Sequence, residues 1–164
     1  MKRGKYIAFL FGFIIAGLTV PDAHADTLAG RASVIDGDTL EIHGERIRLL
    51  DIDAPESRQT CGDPAWRCGQ KAALVLAEFI QQKNVWCETA KRDRYRRWLA
   101  RCQTDGPDLG DVDLSVWLTE QGWAVPYRDC LCYDVRAASA EAQAAKRGIW
   151  SGEFEMPWDF RKKR

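Results

Sequence analysis

The chain has 164 residues, 24 of them Lys or Arg and 24 Asp or Glu, for a formal net charge of zero. One ordinary domain fits that length and two do not. The balanced charge excludes a protein that grips nucleic acid by overall basicity, so any contact with a polyanion is local.

In chain order, Lys2, Arg3 and Lys5 come first, then an uncharged apolar run over 6–20 and Ala23-His24-Ala25. This is the tripartite pattern of an export signal over 1–25. The apolar run falls short of the roughly 20 residues a membrane-spanning helix needs. A mature chain over 26–164 is expected, carrying 21 bases and 23 acids. It is expected to be periplasmic or secreted, monomeric, and without stable membrane association once the signal is cleaved.

Short strands are expected over 31–35, 38–43 and 46–51, with Asp36-Gly37 and Gly44-Glu45 as the turns between them. A loop over 54–67 holds Pro55, Pro64, Gly62 and two cysteines. The spacing of Ala73, Leu76, Ala77 and Ile80 predicts a helix over 69–82 with one core-facing stripe. Two more strands follow over 84–91 and 97–104, joined by a charged turn. Helices over 113–121 and 134–147 close the series, stopped by Gly122 and Gly148. The order β-β-β-α-β-β-α-α suits an α+β, mainly β fold: a five-stranded, partly open Greek-key barrel of the oligonucleotide-binding type with three helices. Pattern alone leaves other sandwiches open. The basic run over 161–164 reads as a solvated tail rather than a binding arm. Trp117, Trp123 and Trp150 suit a core, whereas Trp66, Trp98 and Trp158 have no assigned place.

All six cysteines lie in the expected mature chain, and an even count in a small exported domain points to disulfides. Cys87 and Cys102 fall on strands expected to pair, and Cys61 and Cys68 can close the proline-rich loop. Cys130 and Cys132 remain, too close for an unstrained bridge. Zinc held by Cys61, Cys68, Cys130 and Cys132 is the competing use, disfavoured by the lack of a CxxC pair. His43 is the one histidine after residue 25. Catalysis therefore falls to carboxylates, arginines and a metal.

The densest acidic cluster is Asp36-Gly37-Asp38, followed by Asp51-Ile52-Asp53-Ala54-Pro55-Glu56. Several carboxylate and carbonyl oxygens brought together suit a hard cation such as calcium, although each motif alone is ordinary turn chemistry. Arg48 sits inside an apolar strand, where a guanidinium is seldom left without a partner. Residues 92–97, Arg-Asp-Arg-Tyr-Arg-Arg, combine five charges with one aromatic ring. They read either as a solvated hairpin tip or as a phosphate clamp with Tyr95 available for stacking.

VIDGDTL, IRLLDIDAPE and DRYRR, in that order, with EAQAAKRGIW near the end, make the chain similar to the thermonuclease (staphylococcal-nuclease-like) family from about Ala32 to Trp150. The resemblance implies Asp38 and Asp53 as metal ligands, with Asp36 close by and the Ala54 carbonyl as a further ligand. It implies Arg48 and Arg97 as phosphate-binding arginines, Glu56 as general base, and Asp93, Tyr95 and Tyr127 as substrate-binding positions. The implied activity is calcium-dependent hydrolysis of DNA and RNA to 3′-phosphate ends. An inactive nucleic-acid-binding module on the same fold is the runner-up. The sequence departs from the family at Arg96, where a glycine is usual, which puts the shape of the 92–97 turn in question.

Overall fold

A computed structural model describes residues 26–105, 110–128 and 130–163. The expected export signal lies outside the described residues. Strands β1 (Thr27–Arg31), β2 (Ser33–Asp36), β3 (Thr39–Ile42) and β4 (Glu45–Leu49) come first, then the two-residue β5 (Ile52–Asp53). Helix α1 (Cys68–Ile80) leads to β6 (Asn84–Arg92), β7 (Trp98–Asp105) and β8 (Asp111–Asp113). Then come α2 (Leu114–Glu120), β9 (Val125–Pro126), α3 (Tyr133–Ala144), a 3-10 turn (Gly148–Ser151) and α4 (Pro157–Lys162).

The main sheet runs β1-β6-β7-β4-β3-β2, with β8 on the flank of β7, while β5 and β9 form a separate two-stranded ribbon. Consecutive strands pair antiparallel except β4 and β7, which run parallel with Arg48 opposite Leu99. The result is a curled α+β sheet of the expected oligonucleotide-binding type. The five expected strands are all present. The additions are short: β1, β5, β8 and β9 have five residues or fewer and no alternation long enough to read.

The core lies between the curled sheet and the helices. Leu40, Ile42, Ile47, Leu49, Val85 and Ala100 meet Leu76 and Ile80 of α1, Leu114 and Leu118 of α2, and Val135 of α3. The buried stripe of α1 is Ala72, Leu76 and Ile80, with Ala73 and Ala77 half-buried beside it. Asp113 caps α2, accepting from the amides of Ser115 and Val116. Trp117 stacks on Phe79 of α1 at 3.8 Å.

Cys87 and Cys102 face each other in the β6–β7 register and are bridged, as expected, and Cys61–Cys68 closes the proline-rich loop. Cys130 and Cys132 form the third disulfide, so no cysteine is free for a zinc site. A complete set of disulfides fits an oxidising compartment. Among the described residues no helix is long and apolar enough to cross a membrane.

A second apolar cluster forms where Trp66, Trp123, Trp150, Phe154, Met156 and Trp158 pack around Cys61, Cys68, Val125 and Ile149. It fastens the C-terminal segment to the loop before α1. Gly62 donates its amide to Glu153 at 2.8 Å, and the Gln59 side chain donates to the Glu155 carbonyl at 2.6 Å.

Candidate active site

One cleft of about 1110 Å³ opens between the β2–β3 turn, the β6–β7 tip and α4. Its floor depends on a close approach at Gly37. A Cβ there would lie 2.7 Å from that of Ala54 and 3.0 Å from that of Ala72. Only glycine lets the turn settle between the segment after β5 and α1. Asp38 is thereby laid beside Ala54, whose amide donates to Asp38 Oδ2 at 3.3 Å. The Asp38 amide donates to Asp36 Oδ1 at 3.2 Å, and Thr39 Oγ1 to Asp38 Oδ1 at 3.0 Å.

Arg48, on β4 opposite Thr39, joins the two acidic motifs. Its Nη1 lies 2.8 Å from Asp38 Oδ2 and its Nη2 2.6 Å from Asp53 Oδ1. Asp38 and Asp53 are 4% and 0% exposed, so the guanidinium is their standing counter-ion. Burial pushes the Asp38 carboxyl up to about 7, with Arg48 opposing and Asp36 and Asp53 adding to the rise. Burial alone would lower Arg48, but Asp38 and Asp53 outweigh it and hold it above its ordinary value.

Glu56 stands at the cleft edge on a loop held by a residue the sequence reading missed. Gln59 is wholly buried; its side-chain oxygen accepts from the Glu56 amide at 3.2 Å, and its own amide donates to the Glu56 carbonyl at 2.6 Å. Across the cleft, Asp93 clamps Arg97 through Nε at 2.8 Å and Nη2 at 2.7 Å. Arg97 Nη1 then reaches Thr39 Oγ1 at 3.3 Å, which links it to Asp38. Partial burial works to raise Asp93, but the bonds from Arg97 and the Tyr95 amide outweigh it and hold the carboxyl low. Arg96 occupies the turn in a left-handed conformation, φ 65°, and points away as an exposed residue, while Arg97 lines the cleft. Tyr95 and Tyr127 sit on the rim, 64% and 43% exposed.

The reading of residues 161–164 as a solvated tail needs correction at Arg161, while Arg164 lies outside the described residues. Lys162 and Lys163 are exposed, but Arg161 projects from α4 into the cleft and bonds Asp53 and Glu56. Those bonds raise it above its ordinary value, Asp53 first and Glu56 next, against burial. No local signal in a Lys/Arg run separates a docked arginine from a solvated one. The cue lay in Pro157 and Trp158, which seat α4.

The charges around the cleft suit a divalent cation. Asp36, Asp38, Asp53 and Glu56 face Arg48 and Arg161, while Arg97 is matched by Asp93. The four carboxylates offer oxygen donors only, the chemistry a hard cation selects, while Arg46, Arg94, Arg128 and Lys162 line the same cleft and make its walls basic. Asp51, Cys130 and Cys132 lie within 4.8 Å of one another, but the two sulfurs are joined and offer no thiolate.

Residues 46–152 match the family described as staphylococcal nuclease homologue. The chain is 39% identical to succinoglycan biosynthesis protein ExoI of Rhizobium meliloti (strain 1021), over 94% of this chain and 82% of that one. It is 32% identical to an uncharacterized endonuclease of Escherichia coli O157:H7, over 96% and 99%. It is 34% identical to the probable endonuclease LCL3 of Verticillium alfalfae, over 70% of this chain and 43% of that one. With two buried carboxylates, a bridging arginine and a second arginine on one cleft, the chain belongs to the staphylococcal nuclease family, metal-dependent hydrolases of phosphodiester bonds.

Proposed function

We propose that the chain is an exported, calcium-dependent endonuclease that cuts DNA and RNA, single strands more readily than duplex, and leaves 3′-phosphate ends. The observation that carries this reading is the convergence of Asp38, Arg48, Arg97 and Glu56 on one cleft, with Asp53 buried beneath it on Arg48. A binding module has no use for buried carboxylates beside a phosphate-binding arginine, since they repel the ligand it would hold.

Asp38, Asp53 and the Ala54 carbonyl, with Asp36 close by, are the oxygens that hold the cation; when bound, it supplies Lewis acidity to a phosphoryl oxygen. Arg48 and Arg97 bind the scissile phosphate and balance the charge that builds on its oxygens, the largest contribution in sites of this kind. Asp93 keeps Arg97 aimed at the cleft. Glu56 orients the attacking water and takes its proton. Tyr95 and Tyr127 stand on the rim with Arg94 and Arg97 over the first ring and Arg128 over the second. Unpaired bases that exchange with those guanidinium groups can stack there, which favours single strands. The full set of disulfides supports export.

The test is cleavage of single-stranded DNA by the disulfide-bonded chain, with calcium or with a chelator, beside Glu56→Gln. Calcium-dependent cutting that falls by about 10²-fold or more in the variant is expected. A folded chain that binds DNA and cuts it under no condition is a binding module, and the reading is wrong.

A further inference from the structure

The roles above leave Arg161 unused at the centre of the cleft. Its Nη1 donates to Asp53 Oδ1 at 2.9 Å and to Glu56 Oε1 at 2.7 Å, and its Nη2 to Asp53 Oδ2 at 2.6 Å. One guanidinium thus spans a cation ligand and the base. The arrangement is anchored from outside the cleft. Pro157 is buried, Trp158 packs on the second apolar cluster, and Gln59 ties the segment before α4 to the Glu56 loop.

Asp53 cannot serve a divalent cation with both oxygens while Arg161 holds both. The two positive charges compete for one carboxylate. A guanidinium released from Asp53 does not leave the cleft, because α4 stays seated. It remains on Glu56 through Nη1, and the donors that had held Asp53 are free for phosphate oxygens. Arg48 differs in this respect: it is 14% exposed and has Asp38 as a second partner, whereas the Arg161 side chain is 34% exposed and faces the opening.

We propose that Arg161 is a third phosphate-binding arginine, parked on Asp53 and Glu56 until a cation takes Asp53. This rests on the nuclease reading above. A merely structural ion pair would tie α4 down and do nothing else. The two roles therefore differ in readouts that stability does not move.

The experiment compares the disulfide-bonded wild type with Arg161→Gln and Arg161→Lys. Calcium affinity is measured by calorimetry without nucleic acid, cleavage of a short single-stranded DNA at saturating calcium, and folding by thermal melting. Arg161→Gln should bind calcium about tenfold more tightly, because a competing charge is gone. Its KM should rise about tenfold, more than kcat falls, with a salt dependence of KM shallower by about 0.7 of a log unit per log unit of salt. Lysine should restore part of the KM and part of the competition. Unchanged calcium affinity and unchanged KM in a folded Arg161→Gln overturn the inference. So does tighter calcium binding with unchanged or improved kcat/KM, which would make Arg161 a stopper only. If the wild type itself cuts nothing, the nuclease reading has failed instead, and the two failures are distinct.

Discussion

Gly69→Ala tests how the Glu56 loop is held. Gly69 lies in the first turn of α1, and a Cβ there would fall 1.8 Å from the Glu56 carbonyl oxygen, 2.5 Å from its carbon and 3.1 Å from the Pro55 oxygen. The obstacle is backbone, so no rotamer change relieves it. Restoring a contact of about 3.2 Å requires the 55–56 segment or α1 to move by about 1.4 Å. Helix propensity pulls the other way, since alanine is preferred to glycine by up to about 1 kcal/mol. Overpacking of this kind costs about 1–3 kcal/mol, and a displacement of about 1 Å at a catalytic group costs about 10²-fold in rate. The expected result is kcat/KM on single-stranded DNA lowered by about 10²-fold and a Tm lowered by several degrees. Gly110→Ala, with open space around its Cβ, is the control and should change neither. If Gly69→Ala kept wild-type turnover and melted higher, α1 would not be what positions Glu56.

Arg48→Met leaves Asp53 to Arg161 but takes the guanidinium from Asp38. At pH 8, where Asp38 is ionised, it should cost about 3–5 kcal/mol in chelator, read by urea unfolding, and added calcium should recover part of the loss. In metal-free protein Asp38 keeps its proton to about pH 7, whereas the unfolded carboxyl loses it near 3.8. The folded state therefore binds the extra proton between those values, and stability should fall as pH rises through that window and level off above it. Melting in chelator from pH 5 to 8 checks this, and Asp38→Asn should flatten the slope. Arg96→Gly removes a left-handed side-chain penalty of about 1–2 kcal/mol and adds glycine's backbone entropy, about 0.5–1 kcal/mol. A net gain of about 1 kcal/mol or less with unchanged kcat is expected; a collapse of kcat would mean that Arg96, not Arg97, faces the phosphate.

The floor of the site was legible because its residues are close in sequence and chemically unusual where they stand. An arginine inside an apolar strand and acids at two successive turns betray a polar centre. The strands bearing Cys87 and Cys102 were legible too, since alternation over eight or nine residues has few other causes. The rest was written in long-range packing. Gln59 looks like any loop glutamine until its burial shows it bracing Glu56. Arg161 looks like tail until Trp158 and Met156 are seen in the second cluster. β5 and β9, two residues each, exist only because they find one another.

The parallel pairing of β4 with β7 has a consequence for the order in which the site comes into being. Asp38 and Arg48 meet through hairpin contacts, whereas Asp53 depends on the pairing of β5 with the distant β9. Arg97 reaches them only after α1 and β6 have formed a crossover, because parallel strands cannot be joined by a tight turn. Closing that long loop is the slower event. Asp38 and Arg48 thus need only local contacts, whereas Arg97 and Asp53 each need a distant part of the chain. The centre is therefore complete only when both long-range pairings are made, and a chain lacking either has no full set of carboxylates and arginines.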